Sequence, residues 1–430
     1  MNKIIFHINR LTSIVFLLNL CVLLTNCSKN DNPAPEPEPE PKVITITTSV
    51  SSFTLSAIGD KHTFNVTVTN ATDWTVASSD SWLSVTKQDN STVLVQSEAN
   101  LTTASRSATI TCTVEGKTVS ASVTVLQRKA SDIQIDSLAI VDLSKATGAN
   151  PALGVEMNAD GRVTALKFPD SNLSGSLPAS IGRLTLLHYC DLSGNKLSGA
   201  IPAEIGNLTQ LSYLDLSDNG FSGDAPSLSQ LAKLLVLDMS LNKLISLPAL
   251  NANIPELEYM AFAGNQLTGS LSAGWSAYKK LIYIDVSNNT FTGEIPSSWS
   301  VLTSMKALHL YGNSLSNSIP AYISQFIHLQ SLALNNNNLT GTIPSDLGSL
   351  PELQILLLMQ NRLTGEIPAS LLGNPHWSEW ESNVCPQQSG YGFSNCNSMR
   401  SANIQAISLS DYGKSIKRSL SGTNRTHTGN

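Results

Sequence analysis

A 24-residue repeat runs through the middle of this 430-residue chain and strongly limits what it can fold into. Self-similarity at such a period is the signature of a solenoid, in which each repeat is one unit and stacked neighbours bury a continuous core. We therefore predict nine repeats over residues 163–376. Their first apolar residues, spaced by 24 or 23 positions, are Val163, Leu187, Leu211, Leu234, Leu257, Leu281, Met305, Leu329 and Leu353.

The positions within the pattern LxxLxLxxNxLxGxIP have separate roles. Apolar residues at positions one, four, six and eleven are predicted to face the core, and LxL is predicted to form a strand. Asparagine at position nine offers an amide that pairs with buried backbone groups. Glycine at position thirteen suits a tight turn, so Ser246 and Asn317 at that position predict local distortion in repeats four and seven. The asparagines are Asn195, Asn219, Asn242, Asn265, Asn289, Asn313, Asn337 and Asn361, and Ser171 replaces the first.

The GxIP ending resembles the plant-type class of leucine-rich repeats, which occurs in receptor ectodomains and in inhibitors of pectin-cleaving enzymes. The resemblance implies a leucine-rich-repeat α/β solenoid with capped ends. It also implies that the concave face binds proteins, peptides or small hormones. Because function resides in surface residues and not in the fold, the resemblance does not name the ligand.

The predicted concave surface consists mainly of residues at positions three and five of the LxL strands. Since neighbouring strands lie about 4.8 Å apart, repeats two to six would present a ladder of tyrosines beside a ladder of aspartates. Such a surface suits hydrogen bonding to protein or sugar partners, although the same residues are also repeat consensus, and both interpretations stay open. The predicted ligand-binding residues are Tyr189, Asp191, Tyr213, Asp215, Asp238, Tyr259, Tyr283, Asp285, His309 and Tyr311.

Repeat nine places three apolar residues, Ile355, Leu357 and Met359, at outward-facing positions. An exposed apolar stripe usually marks an interface. We expect either the C-terminal segment with Trp377 and Trp380 or a partner molecule to cover it.

The segments that flank the repeats are predicted to seal the solenoid. Within residues 129–162, the stretch 137–147 has the pattern of a short amphipathic helix and resembles the N-terminal cap of such proteins. Residues 377–430 are predicted to form the C-terminal cap and a basic tail. In that cap, Cys385 and Cys396 are expected to form a disulfide and not a metal site, because no second cysteine or histidine pair lies nearby.

The tail from Asn397 onward has a net charge of +4, because it contains five basic residues and one acidic residue. They are Arg400, Lys414, Lys417, Arg418 and Arg425 against Asp411. A solvated, disordered tail is the default expectation. The alternative is that the tail leans on the acidic ladder. Elsewhere, Cys112 and Cys190 fall at apolar positions and are predicted to be buried thiols.

Residues 43–128 show the period-two alternation of half-buried antiparallel strands and are predicted to form a small immunoglobulin-like β-sandwich. Residues 64–66, 73–74, 81–85, 106–110 and 123–127 resemble the BACON family. The resemblance implies a carbohydrate-binding module, but a spacer role stays open. Trp74 and Trp82 are either core residues or a platform on which a sugar stacks.

Residues 1–26 have the layout of a signal peptide, with Lys3 and Arg10 before the apolar run 11–24. Leu24-Thr-Asn-Cys27 resembles a bacterial lipoprotein signal, in which Cys27 would carry the lipid, although Asn26 departs from the usual small residue. The Pro/Glu-rich linker 27–42 is predicted to be an extended spacer. Cleavage would lower the formal charge from −6 to −8.

No catalytic, metal-binding or cofactor motif stands out in the sequence. The histidines form no HExxH or HxH arrangement, and neither a GxSxG elbow nor a phosphate loop is present. Charged residues make up only 13% of the chain and form no basic stripe, which argues against nucleic-acid binding. The sequence predicts a non-catalytic, lipid-anchored protein of the outer membrane that faces the cell surface and binds a protein partner. Capture of glycan or mucin is the alternative, and a simple adhesion stalk is a third.

Overall fold

The computed structural model describes residues 40–251, 254–396 and 409–422. The predicted signal peptide, Cys27 and nearly all of the predicted linker lie outside the described residues. The described part contains an N-terminal β-module, a long solenoid, a C-terminal cap and a separate C-terminal helix.

The N-terminal module consists of two four-stranded sheets around one core. Alternate residues of each strand face inwards, as the sequence pattern predicts, and Trp74, Val93, Ile110 and Val123 are all buried there. The strands of the first sheet, in spatial order, are Thr45–Thr48, Asp60–Thr69, Thr92–Ser97 and Leu83–Lys87, and those of the second are Ser52–Leu55, Ser120–Gln127, Arg106–Val114 and Trp74–Ser78.

A 16-residue helix, Asp132–Thr147, joins this module to the solenoid and begins earlier than the sequence pattern predicts. Ser131 and Gln134 form a capping box that satisfies the first backbone donors. Apolar residues such as Ala139 and Leu143 belong to the solenoid core. The helix therefore closes the first repeat.

The concave face of the solenoid is a ten-stranded sheet built from the LxL segments. Its strands are parallel and in register, apart from the first, which pairs antiparallel with the second. The strands are Val155–Met157, Val163–Lys167, Tyr189–Asp191, Tyr213–Asp215, Val236–Asp238, Tyr259–Ala261, Tyr283–Asp285, Ala307–His309, Ser331–Ala333 and Ile355–Leu357.

The outer strands form three short sheets, and the breaks between them confirm the distortion predicted for repeats four and seven. Glycines at position thirteen, such as Gly199, have a φ near 80°, a backbone conformation that is unfavourable for a serine such as Ser246. Asparagine tolerates this conformation better, and Asn317 has a φ of 65°. The sheets comprise Ser174–Ser176, Lys196–Gly199, Gly220–Asp224 and Lys243–Ser246; then Thr268–Ser270, Thr290–Gly293 and Ser314–Leu315; then Thr340–Gly341, Arg362–Gly365 and Gly392–Phe393.

The convex side carries 3₁₀ turns at the segments that follow the proline column. They span Ala179–Arg183, Ala203–Asn207, Ala273–Ala277, Ser297–Val301, Ala321–Gln325 and Leu347–Ser349, and a short α-helix, Pro151–Gly154, precedes the array. The leucine columns fill the interior as predicted, and Leu211, Leu214, Leu216 and Phe221 are fully buried.

The asparagine column forms the predicted ladder. In Asn219, the amide nitrogen donates to the carbonyl of Leu192 in the preceding repeat at 2.9 Å, and the amide oxygen accepts from the backbone N–H of Leu197 at 3.0 Å. Each asparagine thus links two neighbouring repeats through backbone groups that would otherwise be buried without a partner.

The C-terminal cap contains the helices Ala369–Leu372 and Trp377–Val384, and a disulfide joins Cys385 to Cys396. Trp380 is buried in the solenoid core, and its indole N–H donates to the carbonyl of Gln354 at 2.9 Å. The last described element is the C-terminal helix, Leu409–Gly422. None of the helices among the described residues is both long and apolar enough to cross a membrane.

Candidate ligand-binding surface

The C-terminal helix (Leu409–Gly422) lies against the concave sheet, on the surface predicted to bind a ligand. Its Tyr412, Ile416 and Leu420 pack on an apolar cluster of the sheet. We call this cluster the groove floor; its members are Tyr213, Val236, Tyr259, Ala261, Tyr283 and Ala307.

The prediction that the tyrosines are exposed is therefore wrong for most of them. Tyr213, Tyr259 and Tyr283 are only 7%, 4% and 2% exposed. They do face away from the solenoid core, as the pattern predicts, but an amphipathic helix covers them. The expected solvated, disordered tail is wrong for residues 409–422, and the alternative, that the tail leans on the acidic ladder, is the arrangement observed.

The tyrosine ladder consists of two stacked pairs separated by Val236. The rings of Tyr189 and Tyr213 are 4.3 Å apart, and those of Tyr259 and Tyr283 are 4.4 Å apart, both nearly parallel. Burial raises the pKa of Tyr189 to about 12 and raises that of Tyr259 well above its ordinary value. These phenols are consequently neutral, and within each pair the two rings stack face to face.

Each predicted aspartate uses one carboxylate oxygen to stabilise the turn after its strand. The Oδ1 atom of Asp215 accepts from the backbone N–H of Ser217 at 3.0 Å and from its hydroxyl at 2.6 Å. Asp191 and Asp285 make the same pair of bonds, and Asp238 makes the backbone bond. The repeated aspartate thus has a structural role through one oxygen. The second oxygen of Asp285 accepts from the hydroxyl of Tyr283 at 3.1 Å, whereas those of Asp215 and Asp238 face the C-terminal helix.

Lys417 of the C-terminal helix takes up the second oxygens of two neighbouring aspartates. Its ammonium group lies 2.5 Å from Oδ2 of Asp215 and 2.6 Å from Oδ2 of Asp238. Burial alone lowers the pKa of Lys417, but Asp238 and Asp215 outweigh burial, so its net pKa is raised. Burial and the neighbouring Asp238 raise the pKa of Asp215 to about 6, against the opposing effect of Lys417.

His309 belongs to a buried network on the groove side of the sheet, where its ring centroid lies 6.5 Å from that of Tyr412. It is fully buried, its Nε2 lies 2.8 Å from the hydroxyl of Ser331, and its Nδ1 lies 3.6 Å from Asp285. Burial would raise the pKa of Asp285, but hydrogen bonds from His309 and Ser287 hold it below its usual value. The ring of His309 is therefore not exposed in this arrangement, and its role in ligand binding stays a prediction.

Comparison with known families and structures identifies the repeats. Residues 162–372 match the family described as leucine-rich repeat region. This part of the chain is a leucine-rich-repeat region. No curated protein matches the chain.

Solved plant receptor ectodomains resemble the leucine-rich-repeat region. The ectodomain of the Arabidopsis thaliana membrane receptor kinase GASSHO1/SCHENGEN3, in complex with CASPARIAN STRIP INTEGRITY FACTOR 2, is 31% identical with a TM-score of 0.52, and the match covers 59% of this chain and 32% of that one. The plant peptide hormone receptor RGFR1 in complex with RGF2 is 32% identical with a TM-score of 0.46, over 56% and 45% of the two chains.

A third structure is the ectodomain of the Arabidopsis receptor kinase HAESA in complex with an extended IDA peptide hormone ligand. It is 26% identical with a TM-score of 0.44, over 56% of this chain and 47% of that one. The match thus covers less than half the length of each of these three receptor chains.

The apolar stripe of repeat nine is covered by the C-terminal helix, which is neither the segment with Trp377 and Trp380 nor a partner molecule. Leu409, the first residue of the C-terminal helix, packs with Ile355 and Leu357. Trp380 instead fills the core beneath the last repeat. Tyr311 is half-buried beside the same contact, and burial raises its pKa.

The groove residues that sequence reasoning missed all belong to the C-terminal helix. They are the apolar residues Leu409, Tyr412, Ile416 and Leu420. Lys417 was named in advance only as one charge of a tail that could lean on the acidic ladder. Apolar residues at 409, 412, 416 and 420 have the three- and four-residue spacing of a helix face. That spacing was the available signal for the apolar contacts, whereas the charge of the tail predicted only that the tail could lean on the acidic ladder.

Among the described residues, one group of acidic and cysteine side chains is close enough to hold a metal ion, namely Glu381 with Cys385 and Cys396. The two cysteines are joined, with their Cα atoms 6.1 Å apart, so they offer no thiolate ligands. Cys112 and Cys190 are free and buried, as predicted, and burial raises the pKa of Cys112 to about 11.

Proposed function

We propose that the leucine-rich-repeat region binds a protein or peptide partner through its concave face and has no catalytic role. One observation carries the proposal: the face already holds a peptide segment, the C-terminal helix, by means of the predicted tyrosines and aspartates. The GASSHO1/SCHENGEN3 ectodomain, which was solved in complex with another factor, supports a recognition role by similarity.

We further propose that the protein is exported and anchored at the outer membrane through lipid on Cys27. The apolar run 11–24, Cys27 and the Pro/Glu-rich stretch behind it support this proposal. The proposed domain organisation follows the sequence, with a signal peptide (1–26), a linker (27–42), a β-sandwich (43–128), an N-terminal cap (129–162), the repeats (163–376), and a C-terminal cap and tail (377–430).

For residues 43–128 we propose a BACON-like module that acts as a spacer. Trp74 is buried in the module core, and its indole N–H donates to the carbonyl of Asn90 at 3.2 Å. The ring of Trp82 is covered by the guanidinium of Arg106, 4.3 Å from the ring centroid. Neither indole presents a free face on which a sugar could stack, which favours the spacer role over carbohydrate capture.

The test of protein recognition is selection of a displayed peptide library by the full chain, with a glycan array probed in parallel. Tyr189, which is half-buried at one end of the groove floor, should be needed for binding the selected peptides, so Tyr189→Ala should weaken it about tenfold or more. Tyr391→Ala is the matched control, because Tyr391 is exposed in the C-terminal cap.

Two outcomes would count against the proposal. The first is binding to glycans without enrichment of any peptide, which would favour the alternative of glycan or mucin capture. The second is equal loss of peptide binding in the Tyr189 and Tyr391 variants.

A further inference from the structure

We infer that the concave face is a groove for an amphipathic helix that carries one cation within its apolar stripe. The C-terminal helix (Leu409–Gly422) is the internal occupant, and a partner protein must displace it with a helix of the same chemistry. The inference rests on the proposed function and names the class of partner and its regulation.

The contacts of the C-terminal helix define what the groove accepts. Ile416 and Leu420 lie one residue before and three residues after Lys417, and both pack on the groove floor. Tyr412, five residues before Lys417, packs there too, and its hydroxyl donates to the side chain of Gln330 at 2.5 Å.

At Gly413 the helix backbone lies close to the side chain of Tyr283. A Cβ atom at this position would lie only 2.4 Å from the hydroxyl oxygen of Tyr283. A partner helix therefore needs, in order, an aromatic residue, a small residue, two free positions, an aliphatic residue, the cation, two free positions and a second aliphatic residue.

The manner in which the C-terminal helix packs separates it from a structural cap. The helix Asp132–Thr147 contributes Ala139 and Leu143 to the solenoid core, where they are 1% and 2% exposed. The apolar residues Tyr412, Ile416 and Leu420 are only half-buried and contact a cluster outside that core. The core of the repeats is closed beneath the groove floor, so the solenoid does not need the C-terminal helix to bury its leucines.

The charges of the groove select for a cation. The side chains of Asp215 and Asp238 are 2% and 5% exposed, and both bind Lys417. A neutral helix would leave two neighbouring carboxylates buried without a counter-charge, which is strongly unfavourable. The aspartate pair therefore rejects neutral and acidic helices and accepts a lysine or an arginine.

Tethering makes the internal helix a strong competitor. A segment on the same chain acts at an effective concentration in the millimolar range when its linker can span the distance. The apparent affinity of a partner falls in proportion to the fraction of molecules whose groove is free. A partner helix that binds the groove weakly, or that lacks the cation, therefore cannot displace the C-terminal helix.

The test uses the full chain and a fluorescent peptide of residues 409–422, with binding followed by anisotropy. Lys417→Met in the full chain should weaken the hold of the internal helix, so the peptide should bind this variant about tenfold or more tightly than wild type. Lys414→Met is the matched control, because Lys414 is exposed on the same helix. It should behave as wild type.

The same two changes in the peptide test the role of the cation. On the Lys417→Met protein, a peptide with Lys417→Met should fail to bind, whereas one with Lys414→Met should bind as the native peptide does. The double variant Ile416→Asp with Lys417→Met provides a second released form of the full chain, and near-ultraviolet circular dichroism verifies that the solenoid remains folded.

Four results would overturn the inference. They are equal binding of the peptide to all proteins, no binding to either released form, unfolding of the solenoid in both released forms, and a wild-type dimer that Lys417→Met dissociates. The last would assign the groove to the helix of a second copy. A further result separates this inference from the proposed function. If library peptides bind the wild-type and Lys417→Met proteins equally, and Tyr189→Ala weakens that binding, the proposed function stands and this inference is wrong.

Discussion

The asparagine ladder allows a sharp test of what holds the repeats together, because four asparagines occur in a row at residues 335–338. Asn337 belongs to the ladder and is 2% exposed. Its amide nitrogen donates to the carbonyls of Leu310 and Leu334 at 3.0 and 3.1 Å, and its amide oxygen accepts from the N–H of Leu315 at 3.0 Å. The neighbouring Asn338 is half-buried, and its side chain makes no hydrogen bond to any described residue.

We expect Asn337→Ala to lower the free energy of unfolding by about 3–5 kcal/mol. A buried donor that loses its partner costs about 1–3 kcal/mol, and each further hydrogen bond contributes about 1 kcal/mol. This loss is large beside the total stability of about 5–15 kcal/mol that is usual for a folded protein. Asn338→Ala should change the free energy of unfolding by no more than about 0.5 kcal/mol.

Urea denaturation followed by tryptophan fluorescence measures both variants. Trp275 and Trp299 stack at 5.5 Å in neighbouring repeats and report on the middle of the solenoid. If the two alanine variants lose similar amounts of stability, or if Asn337→Ala loses less than about 1 kcal/mol, the ladder does not stabilise the repeats as argued.

Three further predictions concern the anchor, the cap and the groove. Cys27→Ser should release the protein from membranes into the soluble fraction; continued detergent-sensitive association would contradict acylation. Cys385 and Cys396 should be oxidised in protein purified from its native host, since closing a loop of this length contributes roughly 3 kcal/mol; mass spectrometry that finds both thiols free would refute it. Burial raises the pKa of Tyr259, so this phenol should stay protonated in the folded protein at a pH where the unfolded chain ionises, near pH 10. The free energy of unfolding should therefore fall as the pH rises above about 10. Spectrophotometric titration should show a delayed class of tyrosines that moves towards pH 10 in the Lys417→Met protein; a single class at pH 10 would contradict their burial.

The periodic part of the fold could be predicted because the same residue pattern occurs in all nine repeats. Core leucines, the asparagine ladder and the LxL strands depend on contacts within a repeat or with its neighbour, about 24 residues away. Even the departures were predictable, since Ser246 and Asn317 interrupt the glycine column where the outer sheet breaks. The interpretation of the aspartates stayed open, because only the structure shows one oxygen of Asp215 in a turn and the other on Lys417.

The occupant of the concave face was decided by tertiary structure. Lys417 and Asp215 are 202 residues apart, and a pairing at that separation leaves no periodic trace in the sequence. Locally, residues 409–422 specify an amphipathic helix with a basic character, and the repeats specify an aromatic and acidic face. Neither pattern states that one covers the other, because that depends on where the curved sheet places its groove relative to the chain that leaves the last repeat. The sequence by itself therefore determined the solenoid and its aromatic, acidic concave face, while long-range packing determined that this face holds the chain's own helix.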